Sequence, residues 1–145
     1  MVVRLQACAG EGRYLVEAAA TVTADGVNIE VLGGEQPHVG AVAFGVPRPS
    51  LEDPHKLSSN VTVVPRLGHR DDEIARPAAA HAARKLGVPV VVVVGIHIER
   101  ARPDEITLLV ENGEKALDQL LNMVKASLHG EFDCQSQDFQ SGCEV

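Results

Sequence analysis

The chain has 145 residues, a formal net charge of −7 and a hydrophobic fraction of 45%. That length suits one domain, because two would each have too small a core. The acidic balance, with no lysine/arginine stripe, argues against nucleic-acid binding, which needs a basic footprint on phosphates.

Val2 to Cys8 and Arg13 to Thr23 read as strands separated by the turn AGEG. Ala24-Asp25-Gly26 is a hairpin signal, since Asp-Gly tolerates positive φ, and Val27 to Leu32 follows as the next strand. A fourth apolar stretch, Val39 to Val46, comes after the loop GGEQPH. The segment PRPSLEDPHKLSS is excluded from a central strand because its prolines lack the ladder donor; Val61 to Val64 is a short fifth strand. RDDEIARPAAAHAARKLG then has the acids, helix formers, late bases and glycine stop of a helix. It begins either near Asp72, with Pro77 bending its axis, or at Pro77 itself. Val88 to Ile98 is a β-branched run expected of a strand covered on both faces. Pro103 opens a second helix to about Leu128, with Ile106, Leu109, Val110, Leu117, Leu120, Leu121 and Val124 at helical spacing. This order predicts an α+β fold: a mainly antiparallel sheet of about six strands with two helices packed on one face. Residues 1–129 form the single domain, and 130–145 a polar tail expected to be flexible or to dock on a neighbouring subunit.

The N-terminus MVVRLQACAG lacks the layout of a signal peptide. The longest apolar run, Val88 to Ile96, falls far short of the roughly 20 residues of a membrane helix. Cys8, Cys134 and Cys143 form no disulfide framework, so a cytoplasmic protein with free thiols is expected. A Val-rich sheet covered by helices on one face leaves apolar surface, which predicts a homo-oligomer.

Chemistry-bearing residues gather in three loops. In the first, Gly33 and Gly34 can turn the backbone and point successive N–H groups at one anion. His38 follows Pro37, Arg48 is held between Pro47 and Pro49 as a directed partner for phosphate or carboxylate, and Ser50 lies just beyond. Plain turn chemistry explains the glycines equally well. In the second, LGHRDDE, His69 and Arg70 precede a helix start with Asp71, Asp72 and Glu73; this is either an ordinary cap or a phosphate seat including His69 and Asp72. In the third, GIHIE, His97 ends the Val-rich strand and Gly95 leaves space beside it; a surface histidine is the plain alternative. Should a metal be bound, His38, His69 and His97 are the candidate ligands, although their spacing matches no metal signature.

Together GGEQPHVGAVAFGVPRPSL, LGHRDDE and VVVVVGIHIE resemble the LpdD-like family, named for the D subunit associated with gallate decarboxylase; the resemblance runs from about Tyr14 to Leu121. It implies a non-catalytic accessory protein that binds prenylated flavin mononucleotide, or FMN, and delivers it to a UbiD-type decarboxylase of hydroxyarylic acids. Gly33, Gly34, His38, Arg48, Ser50, His69, Asp72 and His97 are then the expected cofactor-binding residues. Two other readings stand beside it: a small metal- or histidine-dependent enzyme using His38, His69 and His97, and a structural subunit of a decarboxylase complex.

Overall fold

The computed structural model describes residues 2–130 and the two-residue strand Gln140–Ser141. Six main strands, β1 (Val3–Ala9), β2 (Val16–Val22), β3 (Val27–Gly34), β4 (Ala41–Pro49), β5 (Leu57–Pro65) and β6 (Val90–His97), form one sheet with α1 (Asp72–Leu86) and α2 (Pro103–Leu128). The order is β5-β4-β6-β3-β2-β1, with Gln140–Ser141 (β7) parallel to β1 at the edge. Among the six main strands only β3 and β6 pair in parallel, so the fold is the expected α+β type. Apart from β7, the tail beyond 130 lies outside the described residues.

Side-chain alternation decides where the helices lie. Val16, Ala18, Ala20 and Val22 of β2, Val27, Ile29 and Val31 of β3, and Val90, Val92 and Val94 of β6 are all buried on one face. α1 covers β4, β5 and β6 there, and α2 covers β1, β2 and β3. α1 approaches through an alanine face: Ala75, Ala78, Ala79, Ala82 and Ala83 are buried. The approach is close enough that a Cβ on Gly45 of β4 would lie 2.7 Å from the Ala79 carbonyl oxygen. α2 contributes larger anchors, Leu120, Leu121 and Val124, each fully buried and each stabilising by about 1.5–3 kcal/mol through removal from water.

α1 begins at Asp72, so Pro77 lies inside it rather than at its start. It ends at Gly87, whose φ of 69° supplies the left-handed cap. β4 runs on through Pro47 and Pro49, but it pairs with β6 only over Ala41–Gly45; the prolines sit where the partner is β5 alone. The expectation that β6 is covered on both faces holds for one face only. Val91 and Val93 are partly buried, and Phe44, opposite Val91, is 47% exposed. The expectation of free thiols is corrected at Cys8, which is disulfide-bonded; Cys134 and Cys143 lie outside the described residues. With it goes the thiol argument for a reducing compartment. Among the described residues no helix is long and apolar enough to cross a membrane.

Candidate functional site

The ends of β3 and β6, the loop from Glu35 to Gly40 and the start of α1 meet at one corner of the sheet. The register places Gly33 opposite Ile96 and Gly34 opposite His97. The His97 carbonyl accepts the N–H groups of Glu35 (2.8 Å) and Gln36 (3.2 Å), and Gly34 donates to the Leu15 carbonyl. The glycine pair therefore spends its neighbourhood's donors on backbone rather than on an anion. Its small size is used instead: a Cβ on Gly34 would sit 2.2 Å from the His97 oxygen, and one on Gly33 2.6 Å from the Leu15 oxygen.

Two further glycines build the site. Gly95 has the His38 backbone across it, with the carbonyl oxygen 1.5 Å from where a Cβ would be. Gly40 leaves the space that Asp71 enters, since Oδ2 lies 1.9 Å from its Cβ position. Asp71 directly precedes α1, yet its side chain makes no capping hydrogen bond. Oδ1 accepts the Ile96 N–H at 3.1 Å, and Oδ2 lies 3.0 Å from His38 Nε2 and 3.8 Å from His69 Nδ1. The other nitrogen of His38, Nδ1, is 2.9 Å from the Gln36 carbonyl. The His38 ring is 4.7 Å from that of His69 and 6.3 Å from that of His97. His97 Nε2 faces Glu99 at 3.5 Å. Asp71 is buried, His38 mostly so, and His69 and His97 are increasingly open.

These side chains border a cavity of about 630 Å3 that also takes in Arg70, Arg100, Ile74, Ile96, Ile106, Leu109 and Val110. α1 begins at it, so the positive end of that helix dipole faces the space, and α2 borders it through Ile106, Leu109 and Val110. Arg70 is held by Glu73 at 3.1 Å and through a shorter second bond; that carboxylate raises the guanidinium above its ordinary range. Arg100 has φ 52°, left-handed backbone that a non-glycine residue adopts at a cost of about 1 kcal/mol or more. The cavity continues between the helices: Glu73, Ile74 and Val110 also line a second one of about 330 Å3 that reaches His81 and Asp118.

The rim is braced from the far side. Arg13 donates to the Glu99 carbonyl at 3.0 Å and faces Glu35 at 3.7 Å, and Glu35 accepts the Glu99 N–H at 2.9 Å. Nearby, the Tyr14 hydroxyl donates to buried Glu105 at 2.7 Å, which also accepts the Arg102 N–H at the start of α2.

Of the residues expected from sequence, His38, His69 and His97 converge, with Gly33 and Gly34 beneath them. Asp72 is the first residue of α1, and its neighbour Asp71 is the carboxylate the histidines use. Arg48 and Ser50 do not join them. Arg48 is seven residues along β4 from Ala41, roughly 23 Å at strand rise. Its guanidinium is bonded to Asn60 Oδ1 and the Pro49 carbonyl, and Ser50 Oγ accepts the Glu52 N–H. Sequence reasoning passed over Asp71 because an acid before a helix reads as a cap; its place two residues after His69 was the only available signal.

The corner thus defines a small α+β protein with a histidine–carboxylate pocket at the start of α1. The model for the prenylated flavin chaperone LpdD-like domain matches residues 10–125, and the chain belongs to that family. Among solved structures, one described as "a Novel Chaperone Complex for Yeast 20S Proteasome Assembly" is similar, with a TM-score of 0.55 and 20% identity over 88% of this chain and 98% of that one. At that identity the likeness is one of fold. No curated protein matches.

Proposed function

We propose that the cavity binds prenylated flavin mononucleotide and that the protein delivers it, without turnover of its own, to a UbiD-type decarboxylase. The observation that carries this reading is the meeting of His69, Arg70 and Arg100 with the start of α1 on one cavity of about 630 Å3. Helix N-termini and guanidinium groups are natural partners of a phosphate, and the volume lies within the range of about 300–1,000 Å3 of small-molecule sites. Ile74, Ile96, Ile106, Leu109 and Val110 offer an apolar wall for a prenylated ring system. The residues present therefore fit the group: Arg70, Arg100 and His69 toward the phosphate, His97 toward polar ring atoms. Bound, the flavin supplies the chemistry to the recipient enzyme; here the chain's residues hold it and limit its contact with water. The apolar patch of Phe44, Val46 and Val64 on the open sheet face supports a homo-oligomer as the working state.

Titration of the purified chain with prenylated and plain flavin mononucleotide tests the binding step. Saturable binding is expected, weakened about tenfold or more by Arg100→Ala, because a charge-assisted hydrogen bond is worth about 1.5–3 kcal/mol. Arg48→Ala, at the far end of β4, leaves affinity unchanged. Absence of binding at high micromolar ligand, or a loss on Arg48→Ala with none on Arg100→Ala, overturns the reading. Delivery requires that the loaded chain activate the apo-decarboxylase faster than free cofactor does.

A further inference from the structure

We propose that His38, His69 and Asp71 form a site for a divalent first-row transition metal ion of the Zn2+ class. The ligand atoms of these residues lie within 4.8 Å of one another. An ion about 2.0–2.1 Å from nitrogen and oxygen donors spaces neighbouring ligand atoms about 2.9–3.4 Å apart. His38 Nε2 and Asp71 Oδ2 already stand at 3.0 Å, and His69 Nδ1 at 3.8 Å needs only a small ring rotation.

The hydrogen-bond inventory points the same way. His38 Nδ1 meets the Gln36 carbonyl at 2.9 Å, a bond that requires a proton on Nδ1. Nε2 is therefore the nitrogen turned toward Asp71 Oδ2, 3.0 Å away, a pairing in which a proton or a metal ion can be held. The outer atoms of both groups are tied to backbone, Nδ1 to the Gln36 carbonyl and Asp71 Oδ1 to the Ile96 N–H. Metal-binding imidazoles and carboxylates are oriented in this manner.

Asp71 is a buried carboxylate, and among the described residues it forms ion pairs with His38 and His69, not with Lys or Arg. A buried charge without a strong cationic partner is costly, and a bound cation removes that cost. Gly40 admits the carboxylate only because it lacks a Cβ. Two imidazoles and one carboxylate suit Zn2+, Co2+, Mn2+ or Fe2+ better than Ca2+ or Mg2+, which favour all-oxygen shells. His69 is the most open of the three, leaving an approach from the cavity and a coordination position for an outside ligand. His97, with its ring 6.3 Å from that of His38 and its Nε2 facing Glu99, lies outside this set.

The inference stands apart from the flavin reading, since the probe is metal alone. The tag-free, full-length chain is stripped with chelator, titrated with Co2+ and followed by its visible absorption; Zn2+ then competes in calorimetry. A single equivalent of Co2+ with visible bands, displaced by Zn2+, is expected. His38→Ala, His69→Ala and Asp71→Asn each weaken binding at least about tenfold. His81→Ala, which removes the exposed His81–Asp118 pair, leaves it within about twofold. His69→Ala keeps the test valid if Asp71→Asn does not fold, because the His69 ring is the least buried of the three side chains. No saturable binding at high micromolar metal overturns the proposal, as does binding that survives His38→Ala and His69→Ala or is lost with His81→Ala.

Discussion

Gly95→Ala tests whether the pocket is built by backbone lying on β6. The new methyl would sit 1.5 Å from the His38 carbonyl oxygen, 2.4 Å from its carbon and 3.0 Å from its nitrogen. All three are backbone atoms, so no side-chain rotation relieves the clash. The loop must retreat by about 2 Å to reach ordinary van der Waals separation. It is held by the Glu35 and Gln36 N–H bonds to the His97 carbonyl and by the Gly40 N–H bond to the Val94 carbonyl at 2.9 Å. Such a retreat breaks two or three of these, at about 0.5–1.5 kcal/mol net each, in line with about 1–3 kcal/mol for overpacking. The expected loss is about 2–4 kcal/mol, or about 10 °C in Tm. Urea unfolding followed by far-UV circular dichroism suits a chain with no Trp and a single Tyr. His38 moves with the loop, so Co2+ binding should fall in the same variant. Stability within about 0.5 kcal/mol of the native chain would refute the packing argument, because surface-like substitutions stay within that margin.

Three other outcomes follow from the same structure. Tyr14 is the chain's single tyrosine, and the hydrogen bond to Glu105 raises its hydroxyl above the ordinary 10, so ultraviolet titration should give a midpoint above 10 that falls back in Glu105→Gln. Glu105 is lowered, first by the Arg102 N–H and then by the Tyr14 hydroxyl; its stabilisation is full above its unfolded value and disappears as pH falls through the lower folded one. Glu105→Gln should therefore flatten the acid side of the stability profile, and an unchanged acid slope would count against the role given to that carboxylate. On the open sheet face, Phe44→Arg should reduce the mass seen in light scattering to that of one chain without lowering Tm; a native chain that is already monomeric would dispose of the oligomer.

Much of the architecture was legible because period and punctuation are local properties. Pro103 opens α2 and Gly87 closes α1 where expected, and the alternation of β3 marks its buried face, whereas the all-valine run of β6 reads as covered on both faces and is covered on one. Periodicity reports which side of a strand is buried but not its neighbours. β6, late in the chain, lies between β3 and β4, and that insertion brings Gly95 and His97 against Gly34 and His38.

The sequence by itself determined the elements, the helix-covered sheet and the three loops in which histidine stands beside glycine or a helix start. Only the tertiary structure decided which of those residues share a pocket. It removed Arg48 along β4, spent the Gly33–Gly34 neighbourhood on backbone packing, and brought Asp71 rather than Asp72 to the histidines. The physical reason is that a capping aspartate and a ligand-holding one look alike in sequence. What separates them is the space left by Gly40 and the Ile96 N–H that donates to Asp71, and both arrive from segments distant in the chain.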